Sequence, residues 1–128
     1  LKVIIVPTHI TLRLYDFVRE IHELYALSDL VISKAGGLTV TECIVRNLPL
    51  IITESLPGQE EANLEFLKLN KAALYAKNPR DALSKTHRIL TNKSLRNELI
   101  KNMRSIARPD AARMILDKIC RQDTHLAS

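Results

Sequence analysis

The 128 residues are 46% apolar but only 4% aromatic, with no tryptophan, so they supply one domain with a mainly aliphatic core, as in α/β folds. The formal charge of +5 is spread along the chain and interrupted by the acidic stretch from Glu54 to Glu65, which excludes a basic-plus-aromatic nucleic-acid platform and leaves a solvated surface or attraction to anionic lipid. No apolar run approaches the roughly 20 residues of a membrane span, and two cysteines, Cys43 and Cys120, are too few for a disulfide framework or zinc site.

Lys2 to Val6 is a short β-branched apolar run that reads as a buried parallel strand, closed by Pro7. Ile10 to Tyr15 is a second strand candidate, with Leu12 and Leu14 in alternation. Parallel strands need a crossover of about a dozen residues, and only Pro7-Thr8-His9 intervenes. Either the two form a hairpin or a helix is missing between them; the second is the expectation. The chain starts at Leu1 without a signal peptide, and it is read as a piece of a longer protein.

From Val18 to Leu27 the apolar positions follow helical spacing, and Asp29 to Ser33 is the next strand. A helix over Leu38 to Asn47 carries Val40, Cys43, Ile44 and Leu48 near one face. Asn47 stands where that helix must reverse, and asparagine tolerates a left-handed cap. Pro49 to Ile52 is another short strand, Leu56-Pro57-Gly58 a turn, and Gln59 to Leu69 a helix. Ala72 to Tyr75 reads as a strand, then helices follow over Asp81 to Leu90, Ser94 to Ile106 and Asp110 to Arg121. This alternation predicts an α/β fold, a parallel sheet flanked by helices with a helical carboxyl-terminal tail. Ligands of such sheets bind at the carboxyl ends of strands, where Gly36-Gly37 and Pro57-Gly58 both fall.

Three groups at that edge carry chemistry. Gly36-Gly37 follows a strand and opens a helix, so backbone N–H groups and the positive end of the helix dipole face outward, as phosphate requires. The alternative is a tight turn that needs a positive φ. The pair lacks the three-glycine fingerprint of a dinucleotide site, which disfavours a nicotinamide-dependent oxidoreductase, and it lacks the P-loop lysine. Glu42, three residues past Thr39, has capping-box spacing; its alternative is a carboxylate accepting from the two hydroxyls of a ribose. Gln59 and Glu60 open a helix, where acidic residues complement the dipole or, alternatively, read the hydroxyls of a sugar. Lys34 is a candidate to neutralise phosphate. His9, His22, His87 and His125 lack metal-ligand spacing, and no metal site or nucleophile arrangement is expected.

The run Asp29 to Glu42, with Leu48-Pro49-Leu50-Ile51 and Pro57-Gly58-Gln59-Glu60-Glu61-Ala62-Asn63, resembles glycosyltransferase family 28. The likeness is to its monogalactosyldiacylglycerol synthase and processive diacylglycerol glucosyltransferase branch, and it covers roughly residues 9 to 122. It implies the Rossmann-like carboxyl-terminal half of a two-domain GT-B enzyme, residues 1–128 forming a partial donor-binding domain without the amino-terminal acceptor domain. By that likeness Glu42 holds the ribose, and amides around Gly36, Gly37, Leu38 and Thr39 face the diphosphate. Gln59 and Glu60 read the sugar, and Phe17-Val18 meets the uracil edge. The implied activity is inverting transfer of a hexose from a UDP-sugar to a lipid, diacylglycerol foremost, peripheral at the cytoplasmic membrane face. No further cofactor is implied, the catalytic base lies in the absent domain, and the fragment alone is expected to be inactive. The alternative is a non-catalytic UDP-sugar-binding subunit docked to a membrane-anchored acceptor subunit. Ala35 departs from the proline of the lipid-glycosylating branch, and Asn47 and Asn70-Lys71 stand where glycines are usual.

Overall fold

The structure, a computed structural model, describes residues 7–54 and 58–123. The element order is α1 (Ile21–Ala26), β1 (Val31–Lys34), α2 (Gly37–Arg46), β2 (Leu50–Glu54), α3 (Gln59–Leu69), β3 (Leu74–Tyr75), α4 (Pro79–Thr91), α5 (Lys93–Ile106) and α6 (Ala111–Asp123). The strands form one parallel sheet in the order β1-β2-β3. Val31, Ile32 and Ser33 pair with Leu50, Ile51 and Ile52, and Ile51 and Ile52 pair with Leu74 and Tyr75. The register slips between Ser33 and Lys34, so Lys34 pairs with Glu54. Such an irregularity re-aims the side chains at a strand end.

Alternation along β2 explains the layers. Leu50 and Ile52 point into one core with Val40, Cys43 and Ile44 of α2, Leu64 and Leu67 of α3, and Met103 of α5. Ile51 points the other way, into a second core with Ala76 just after β3, Ala82 and Ile89 of α4 and Leu99 of α5. These three side chains are fully buried, as expected of a strand segment covered on both faces, while Thr53 and Glu54 at its carboxyl end are exposed.

Caps set the helix ends. Asn47 ends α2 in the left-handed region at φ 56°, and the next N–H, of Leu48, donates to the Cys43 carbonyl at 2.9 Å. Lys71, where glycine was expected, also takes a positive φ of 49°. Asn78 caps α4 by accepting from the Asp81 N–H, Pro79 fills the first helical position, and Asp81 in turn accepts from the Lys77 N–H. Lys85, and behind it Lys77, hold the Asp81 carboxyl below its usual range. Asn92 caps α5 by accepting from the Leu95 N–H.

Two expectations fail or fall outside. Ile10 to Tyr15 forms no strand: Leu14 and Tyr15 are 78% and 57% exposed, and among the described residues β1 pairs only with β2. Alternation alone makes no strand without a ladder partner. The Lys2–Val6 strand and the Leu56-Pro57 part of the turn lie outside the described residues. The first helix is also shorter than its pattern, starting at Ile21 and leaving Val18 in irregular chain. In α6, Met114, Ile115, Leu116 and Ile119 are all exposed.

Candidate functional site

Ala35 ends β1 fully buried, its N–H donating to the Glu54 carbonyl at 3.1 Å. Gly36 is then the cap of α2, in extended geometry at φ −66° and ψ 133°, and its carbonyl accepts the first helical bond from Val40 at 3.0 Å. Neither glycine of the pair has a positive φ, so the tight-turn alternative fails; among the described residues only Gly58 has that geometry in a glycine, at φ 95°. A Cβ on Gly36 would meet nothing closer than Glu60 Oε1 at 4.0 Å, and one on Gly37 nothing closer than Asn63 Nδ2 at 3.6 Å. The protein itself therefore leaves room for side chains at both positions. What the glycines provide is bare backbone toward solvent, at a helix end whose first N–H groups have no intrahelical acceptor.

That helix end opens onto a cavity of about 460 Å³ lined by Gly36, Gly37, Leu38, Thr41, Glu60 and Asn63. Glu60 projects from the first turn of α3 with its side chain 16% exposed, and Lys34 Nζ meets its Oε1 at 3.0 Å. Lys34, a candidate for phosphate, thus holds a carboxylate instead. Asn63, one turn further along α3, donates from Nδ2 to the Ala35 carbonyl at 2.9 Å. The Thr41 hydroxyl donates to the Gly37 carbonyl at 2.8 Å, so it is already occupied within its own helix.

The other side of the α2 end carries a different set. No side chain caps α2 at Gly36, and Thr39 lies two residues inside the helix, so the capping box suggested for Thr39 and Glu42 is not made. Glu42 is exposed and, among the described residues, in no ion pair. The Tyr25 phenol of α1 shares this side: burial raises its pKa, the Thr39 hydroxyl opposes the rise, and Cys43 and Glu42 add to it. Leu38 and Thr41 thus face α3, while Thr39 and Glu42 face α1.

Phe17, 84% exposed, and Val18 lie in irregular chain before α1 and do not line the cavity. Gln59 opens α3 beside Glu60, and its side chain lies outside the described residues. Asn63 and Thr41 were not singled out from the sequence. For Asn63 a signal existed, since it follows Glu60 by three residues on one helix and shares its face. A larger cavity of about 640 Å³ lies by Ile32, Thr53, Lys77, Leu83 and Thr86, and it holds none of the candidate residues. Among the described residues no cluster of His, Cys, Asp or Glu could hold a metal ion.

Cys43 lies beneath this helix end, and burial pushes its thiol up to about 11, with Glu42 adding to the rise. At pH 8 its thiolate fraction is then about one in a thousand, and the thiolate is the reactive form. Cys120 on α6 is exposed. Iodoacetamide at pH 8 should alkylate Cys120 and spare Cys43 in the folded protein; peptide mass mapping checks this, and alkylation of Cys43 at a similar rate would contradict the burial argument.

A family model described as glycosyltransferase family 28 C-terminal domain matches residues 4–115. A processive diacylglycerol beta-glucosyltransferase of Bacillus licheniformis is 31% identical over 111 residues, covering 87% of this chain and 29% of that protein. A protein of the same description from Bacillus thuringiensis is 29% identical over 112 residues, again covering 29% of its length. The crystal structure of Acinetobacter baumannii MurG superposes with a TM-score of 0.74 at 26% identity, covering 90% of this chain and 35% of that one. The Rossmann-like architecture with a helical carboxyl-terminal end is thus the fold of a GT-B carboxyl-terminal half.

Proposed function

The chain belongs to glycosyltransferase family 28, and from that membership we propose that it is the donor-binding part of a transferase moving a hexose from a UDP-sugar to a lipid hydroxyl. The observation that carries the reading is the division of groups about one helix end. Exposed Glu42 lies on the α1 side, bare backbone at Gly36 and Gly37 in the middle, and Lys34-paired Glu60 in a cavity on the α3 side. A UDP-sugar has the same order: ribose, diphosphate, hexose. Phe17-Val18 precedes the Glu42 side in the chain, and we assign it the uracil edge.

In this arrangement Glu42 accepts from the ribose hydroxyls, each of its two oxygens having lone pairs to spare. The amides of Gly36, Gly37, Leu38 and Thr39, with the α2 dipole, receive the diphosphate. Their strongest contribution comes as the anomeric bond breaks and negative charge accumulates on the leaving UDP, because donors fixed in advance need not reorganise. Gln59 and Glu60 orient the hexose. The reaction is direct displacement with inversion, the acceptor hydroxyl losing its proton to a base outside this chain. Diacylglycerol is the proposed acceptor from the names of the Bacillus relatives, with the domain peripheral at the cytoplasmic face of the membrane and its excess of basic residues toward anionic lipid.

The chain spans 29% of the length of those relatives. Radiolabelled UDP-glucose and UDP-galactose should each be offered with diacylglycerol vesicles to the full protein carrying this domain and to residues 1–128 alone. Labelled glycolipid is expected from the first and none from the second. UDP-sugar binding without transfer by the full protein would instead mark a non-catalytic subunit.

A further inference from the structure

We propose that Asn63 is a positioning residue for the diphosphate corner, acting through the Ala35–Gly36 peptide; the proposal rests on the donor-site reading above. Asn63 joins two elements 28 residues apart in sequence, its half-buried Nδ2 donating to the Ala35 carbonyl at 2.9 Å. The Ala35 N–H is in turn held by the Glu54 carbonyl of β2, at 3.1 Å. Both polar groups of the residue before the glycine pair are therefore committed. The Gly36 carbonyl is committed as well, to the Val40 N–H at 3.0 Å.

A trans peptide is planar, with its C=O and N–H on opposite sides. Fixing the Ala35 oxygen on the α3 side therefore fixes which way the Gly36 N–H points. Glycine adds little preference of its own, so without an outside tie this peptide could rotate. A rotated peptide would present a carbonyl where an anion needs an N–H, and the helix end would lose part of its attraction. The Lys34–Glu60 pair spans the same gap, but Lys34 is 55% exposed and solvent screens it. The half-buried Asn63 bond is the tie that survives in water. It also needs an amide rather than a carboxylate, because only the amide donates.

The test uses Asn63→Leu, similar in size but without polar atoms, and measures UDP and uridine affinity by calorimetry and ligand-free amide signals by NMR. UDP affinity should fall by up to roughly tenfold, as expected for the loss of one neutral hydrogen bond that holds a binding group in place. Uridine affinity should stay unchanged, since it lacks phosphate, and the ligand-free Gly36 and Gly37 signals should move. Should Asn63→Leu not fold, Asn63→Ala removes the donor without adding a charge and should show the same split. Unchanged UDP affinity, or an equal loss for UDP and uridine, overturns the proposal. So does a UDP-selective loss with unmoved ligand-free amides, which would mean that Asn63 touches phosphate directly. A wild-type chain that ignores UDP would defeat the donor reading instead, while the ligand-free Gly36 and Gly37 signals would still report on the tie.

Discussion

Replacing Glu42 with alanine is expected to weaken UDP binding by about tenfold to a hundredfold while leaving the fold intact. The affinity estimate follows from losing a charged acceptor for two hydroxyls, worth about 1.5–3 kcal/mol. The stability estimate follows from exposure: Glu42 makes no ion pair among the described residues and does not cap α2. Surface changes of that kind usually stay within about 0.5 kcal/mol. A sharper form of the same experiment compares UDP with 2′-deoxy-UDP. Wild type should prefer the ribose form, and Glu42→Ala should bind both alike. An unchanged preference in the variant would remove Glu42 from the ribose and return it to the helix surface.

Gly37→Ala is expected to separate binding from stability in the same way. Its Cβ would meet Asn63 Nδ2 at 3.6 Å, an ordinary contact, and alanine is the better helix former, so the thermal midpoint should hold or rise. The methyl group would nonetheless stand on the bare backbone where phosphate is proposed to approach. Forcing one methyl into a fitted contact costs about 1–3 kcal/mol, hence roughly a tenfold to hundredfold loss of UDP affinity. A variant that binds UDP normally would show that these glycines face no ligand. A variant that unfolds would show that they are structural after all.

The sequence exposed the parts of this domain that depend on local chemistry. Helix α3 runs over Gln59–Leu69, directly after Gly58 as expected, and Asn47 takes the left-handed cap its position demands. The first three residues of β2, Leu50 to Ile52, were legible because they are apolar and buried on both faces. Illegible features depended on distant partners. Ile10 to Tyr15 alternates like a strand, but pairing is a property of two segments and one sequence pattern shows only one of them. Thr39 and Glu42 have the spacing of a capping box, yet the helix begins earlier, at Gly37, because Ala35 is still held to β2 and the chain turns at Gly36. A side-chain cap forms instead at Asn78, which accepts from the Asp81 N–H while Asp81 accepts from the Lys77 N–H, because spacing and helix start coincide there.

The site divides along the same line. Gly36, Gly37 and Glu60 meet at one cavity because strand ends and helix starts converge there, which the order of elements already implied. The pairing of Lys34 with Glu60 across 26 positions was not visible, and it changes Lys34 from a candidate phosphate partner to the holder of the Glu60 carboxylate. Asn63 lies within the Pro57-to-Asn63 motif, but its bond to Ala35 is a tertiary contact that no local pattern shows.

The most direct test of the donor-site account is an amide-resolved NMR titration of the chain with UDP. The account predicts that the largest shifts fall on Gly36, Gly37, Leu38 and Thr39, with Glu42 and Tyr25 following on the ribose side. Saturable shifts centred instead on Thr53, Lys77 and Thr86, around the larger cavity on the opposite face of the sheet, would contradict it.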